Sequence, residues 1–236
     1  MIGASGVPYF SQWESADLVP QFLDGSLSSA ADPRWAESGA RTAADYGFWA
    51  PKACGLACLR MILGSRGLPV PPLMRLLEQA LNWKAYVPAG ERVNGLIYRP
   101  FAEWVRHDFS IVAEVVPDLT LERLTSGAGP DTPVIASVHH WIRWPDRHPP
   151  ETGGHLVLVT GAAGGLVRLH NPSGLPGVSQ QDAVVEMADF TRFFAGRGLV
   201  IAQPATATAP TVTATATAAA TAPTTANARA AAAPRS

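Results

Sequence analysis

The run Ala50–Arg66, APKACGLACLRMILGSR, decides how the rest of the chain is read. Pro51 disfavours helical geometry in the residue before it, and Gly67 with Pro69 closes the segment from the other side, so the spacing predicts a helix over 53–65. Cys58, Leu59, Ile62, Leu63 and Arg66 recur at helical spacing, which predicts one buried face with Cys54 at its amino end. A thiol there feels the partial positive charge of unpaired first-turn amides, which favours thiolate and lowers its pKa below the free value of about 8.5. Gly55 leaves room for another backbone or a substrate to come close. Cys58, one turn on, reads as a core thiol.

A cysteine so placed is a nucleophile only if a base and an oxyanion donor reach it. His155 opens the apolar run of GGHLVLVTG, which reads as a buried strand with the imidazole at its start. Asn171 ends the next strand in VRLHNPSG, where Pro172 and Gly174 turn the chain. Antiparallel pairing of those strands through the AAGG turn brings the two residues to one end of a sheet. Gln12, in VPYFSQW, offers a side-chain amide to stand beside the Cys54 backbone amide. Taken singly, His155 is also readable as a hydrogen-bonded core histidine, Asn171 as a turn former and Gln12 as a polar residue at a strand end.

In this order, VPYFSQW, CGLACLRMIL, GGHLVLVTG and HNPSG resemble the motifs of the bacteriocin-processing, papain-like cysteine peptidases, the C-thirty-nine-like group. The resemblance spans roughly residues 7 to 202. It implies that Cys54 is the nucleophile, His155 the base and Gln12 a contributor to the oxyanion hole. That family usually places aspartate before the last motif's proline, where this chain has Asn171; papain-like enzymes as a class also orient the imidazole with asparagine. The family's glutamine also stands a few residues before its cysteine, whereas here the segment 13–52 intervenes as an insertion.

Composition bounds the reading. The chain has 236 residues, 47% hydrophobic and 16% charged, enough for one globular domain with a substantial core. Net charge is −1 with lysine and arginine scattered, so no electrostatic footprint for nucleic acid or an anionic membrane stands out. Its two cysteines, four apart, form neither a disulfide framework nor a zinc-ribbon spacing, which fits a reducing compartment. MIGASG has no signal-peptide character and no run of about 18 apolar residues occurs, so a cytoplasmic location is expected.

The pattern predicts a strand over 7–13, a short helix over 17–23, an aromatic-bearing loop over 24–50 that either covers the cleft beside Cys54 or is a surface elaboration that only buries aromatic area, and helices over 73–81 and 98–107. Strands are expected over 110–116, 132–139, 156–160, 166–170, 183–187 and 198–202, with short helices at 119–124 and 189–194. Helices first and strands later predict an α+β fold, a helical lobe led by the nucleophile helix and packed on an antiparallel sheet. With the resemblance added, that fold is expected to be papain-like. Residues 204–236, rich in alanine, threonine and proline, read as a disordered tail after a domain of 1–203.

The expected activity is thiol acyl transfer from an amide of a peptide or protein substrate, with no metal or organic cofactor and no nucleic-acid or membrane partner. Transfer to an amine, as in ligation or cyclisation, and an idle peptide-binding cleft are the alternatives. The cluster at His139, His140, Trp141, Arg143 and Trp144 reads as a packed loop or a cleft rim. A zinc site from Cys54, Cys58, His139 and His140 is disfavoured by the cysteine spacing.

Overall fold

The structure is a computed structural model that describes residues 3–90 and 92–203, all within one compact unit; the expected 204–236 tail lies outside the described residues. Helices α1 (Val19–Asp24), α2 (Ala43–Trp49), α3 (Cys54–Ser65) and α4 (Leu73–Asn82) come first. A minimal hairpin follows, β1 (Pro88–Ala89) with β2 (Arg92–Val93), then α5 (Tyr98–Phe109). The remainder is β3 (Ala113–Val116), α6 (Leu121–Gly127), β4 (Val134–His139), β5 (Gly154–Ala163), β6 (Leu166–His170), β7 (Ala183–Glu186), α7 (Met187–Phe193) and β8 (Phe194–Ile201). The architecture is α+β, with six strands in the order β3-β8-β4-β5-β6-β7 and every pair antiparallel.

Strand alternation explains the continuous apolar runs. Leu156, Leu158 and Ile135 join the core beneath α3, α4 and α5, while Val157, Val159 and Val134 join a second core with Leu124 of α6 and Phe190 and Phe193 of α7. A sheet covered on both faces needs apolar residues at successive positions, which is how LVLV reads. β5 turns into β6 through Gly164 and Gly165, both at positive φ, the conformation a tight hairpin of this hand requires.

Helix α3 departs from the one-faced reading. Leu56, Ala57, Cys58, Leu59, Met61, Ile62 and Leu63 are all buried, so the helix is enclosed on nearly every side. Its polar exception, Arg60, pairs with Glu14 at 3.2 Å and lies over the Phe10 ring.

Two other expectations need correction. Residues 7–13 form no strand; the segment is tethered one group at a time, through Val7 O to His170 Nε2 (2.9 Å), the Tyr9 hydroxyl donating to Asn171 O (3.0 Å), and Ser11 Oγ and Gln12 N both donating to Pro172 O (2.9 and 3.0 Å). Nor is 24–50 a loop: it holds α2 and short 3₁₀ turns gathered on the buried Asp32, which accepts from Ser15 Oγ, the Tyr46 hydroxyl and the Arg34 amide. Such short pieces have little propensity of their own and form because a buried carboxylate collects their donors. This insertion contributes no residue to the cavity wall beside Cys54, so it does not cover the cleft.

Candidate active site

Helix α3 begins at Cys54 with no side-chain cap on its first turn, because Ala53 holds the cap position. Its leading amides therefore lack intrahelical partners and remain available to a ligand or a developing anion. Cys54 is half-buried and shares a cavity of about 390 Å³ with His155; Asn94, Leu96, Tyr98, Ser137 and Arg197 complete most of its wall. Among the described residues no hydrogen bond joins the Cys54 thiol to His155, so the two meet as walls of one cavity, a looseness common in unliganded sites.

β5 and β6 bring His155 and Asn171 together, as their antiparallel pairing requires. His155 Nε2 lies 2.8 Å from Asn171 Oδ1. The Ser173 backbone amide also donates to that oxygen, at 3.1 Å, and since an N–H can only donate, the Asn171 amide orientation is determined. Nε2 therefore carries the imidazole proton and donates to Oδ1, which leaves Nδ1 with a free lone pair to act as a base.

Ser173, to which no role was given from sequence, and Arg143, read there only as part of a packed loop or cleft rim, complete this arrangement. Arg143 Nη2 donates to Ser173 Oγ at 2.7 Å, and that hydroxyl lies 3.2 Å from His155 Nε2. Arg143 is buried with no carboxylate partner among the described residues, and burial pushes its pKa down to about 10. Ser173 stands inside HNPSG and Arg143 inside HHWIRW, but only the fold shows that these two stretches touch. The rest of the HHWIRW cluster is neither a loop nor a rim of this cavity: His139 ends β4, His140–Arg143 form a 3₁₀ turn, the His139 and His140 rings lie 4.2 Å apart at a tilt of 37°, and His139 Nδ1 accepts from the Trp141 amide.

Electrostatics correct the expected thiolate. Burial pushes the Cys54 thiol up, against backbone amides of Leu156, Gly55 and Cys54 itself that pull it down. Burial, then the Arg143 guanidinium, push His155 down to about 3, against the Asn171 hydrogen bond. The helix-terminus field is thus outweighed by desolvation, and the resting pair is a neutral thiol beside a neutral imidazole. Gly55 provides close approach as expected, but to side chains: a Cβ there would stand 2.9 Å from Leu96 Cδ2 and 3.1 Å from the Tyr86 hydroxyl.

Gln12 is buried next to the Asn171–Gly174 turn, its backbone amide donating to Pro172 O, yet it does not line the cavity, and its side-chain oxygen lacks a partner among the described residues. Cys54, Cys58, His139 and His140 do not gather into a metal-holding group; no cluster of three or more such ligands occurs among the described residues. Nor is any described helix long and apolar enough to cross a membrane. Compared with protein-family models and with curated proteins, the chain matches none significantly.

Proposed function

We propose that the protein is a papain-like cysteine peptidase or amidase that cleaves a peptide bond through an acyl-thioester. The observation that carries this reading is the 2.8 Å pairing of His155 Nε2 with Asn171 Oδ1, with Cys54 at a helix start on the same cavity wall. Asn171 holds the tautomer and Nδ1 receives the thiol proton as sulfur bonds to the amide carbon and the carbonyl electron pair moves onto oxygen. The oxyanion is stabilised by the Cys54 backbone amide, a donor of a kind whose loss typically costs about 10²- to 10³-fold; Gln12, which lies off the cavity wall, joins it only if its side chain turns toward Cys54 when substrate binds. Collapse breaks the C–N bond, and the amine leaves with the proton from the imidazolium. Water then attacks the thioester, its proton passes through His155, and the thiol and a carboxylic acid are released.

Because the resting pair is neutral, proton transfer accompanies attack rather than preceding it. The same neutral pair also supports a second reading, an idle peptide-binding cleft, and labelling separates the two. With His155 as base, iodoacetamide modifies Cys54 much faster in the native chain than in His155→Gln, and the buried Cys58 stays unmodified. Equal slow labelling in both chains favours the idle cleft. A cytoplasmic peptide or protein substrate is part of the proposal, as composition suggests.

A further inference from the structure

The register of β4 against β8 breaks beside the cavity. Ala136 pairs with Gly198 and Val138 with Phe194, so Ser137 alone stands opposite Ala195, Gly196 and Arg197. The surplus residues form a bulge, with Gly196 at φ 64° and its carbonyl accepting from the Leu119 amide at 2.6 Å. Bulges re-aim side chains, and this one delivers Arg197 to the cavity that holds Cys54 and His155.

Arg197 meets a prepared setting there. The Tyr98 hydroxyl adjoins both Arg197 and the Ser137 hydroxyl, and Gly153, at φ 88°, leaves space: a Cβ there would stand 2.8 Å from Arg197 Nη2 and 3.3 Å from Ser137 Oγ. Two elements, α5 and β4, and a bare glycine thus frame one guanidinium. Arg197 has no carboxylate partner among the described residues, and no acidic side chain lines the cavity. A planar guanidinium with flanking hydroxyls matches a carboxylate in geometry and charge.

We infer that Arg197, with Tyr98 and Ser137, forms a subsite for a substrate carboxylate close to the scissile amide, so that the enzyme acts on acidic peptides or at a free carboxyl terminus. This deepens the peptidase reading and rests on it. The subsite sets specificity: Arg197 anchors the anion while Leu96 and Leu156 offer apolar contact beside it.

The test uses the full chain carrying Cys54→Ala, which binds without turnover, and titration calorimetry at neutral pH and low salt. Three probes are compared: acetyl-trialanine as the free acid, the same peptide as its amide, and acetyl-Ala-Glu-Ala amide. A charge-assisted pair predicts that a carboxylate probe binds about tenfold tighter than the neutral amide. The free acid leading identifies a chain terminus as the source, and the glutamyl peptide leading identifies a side chain. Adding Arg197→Gln, an exposed position whose loss spares the core, abolishes the preference, and added salt weakens it. Equal binding of all three probes, or a preference that survives Arg197→Gln, overturns the subsite. Because the readout is binding in a chain without the thiol, it is independent of the Cys54 labelling that tests the nucleophile.

Discussion

At the scale of single residues, the site depends on how Asn171 presents His155. Asn171→Ala removes the acceptor from Nε2 and frees the ring to turn, so turnover per folded molecule falls by about one to two orders of magnitude, and because the buried Ser173 amide loses its acceptor as well, stability falls by about 1–3 kcal/mol. Asn171→Asp keeps the acceptor and adds a charge that raises the imidazole pKa, so it retains activity and speeds Cys54 labelling near pH 6. An unchanged rate per folded molecule in Asn171→Ala would reduce Asn171 to a turn former before Pro172. His155 also sets a pH dependence of stability. Its folded pKa of about 3 lies below its ordinary value, so the unfolded chain takes the proton first on acidification. The contribution is complete above about pH 6.5 and declines toward pH 3, by at most roughly 1.4 kcal/mol per pH unit. Urea unfolding at pH 7, 5 and 4 checks this, and His155→Gln flattens the dependence; an equally steep fall in that variant would place its origin elsewhere.

At the scale of elements, the turn after β6 is the most demanding piece of the site. It carries Asn171 and Ser173 and is closed by Gly174, where a Cβ would stand 2.0 Å from the backbone oxygen of Ser179. Backbone cannot retreat as a flexible side chain would, so Gly174→Ala lowers stability by about 2 kcal/mol or more and disturbs the His155 partner with it. Denaturant midpoints and turnover of the soluble fraction check both effects, and a wild-type midpoint would show that the turn can shift. This turn was legible from Pro172 and Gly174, as were the start of α3 at Cys54 and the strands β4 to β7, because proline, glycine and apolar runs act locally. The neighbours of the site were not. Arg143 reaches Ser173 across 30 positions, and the helices of 24–50 form around Asp32, so both need tertiary structure before they exist. The strand expected at 7–13 failed for a related reason: its alternation is real, but β6 is already paired on both sides and offers it no ladder.

At the scale of the whole molecule, every residue of the cavity wall lies between positions 54 and 197, within one compact unit. Removing residues 204–236 therefore leaves the melting temperature and Cys54 labelling unchanged; a loss in either would show that these residues contribute to the domain. Desolvation also explains why local reading misjudged the thiol: a helix terminus acts on Cys54 alone, whereas burial is the sum of α3, β5 and their neighbours. The central claim, acyl transfer through Cys54, is tested most directly by incubating the full chain with a proteome-derived peptide library and sequencing the new termini by mass spectrometry. The native chain is predicted to generate a consistent set of new termini that is absent with Cys54→Ala. The same termini appearing with Cys54→Ala, or none with the native chain, would contradict the account.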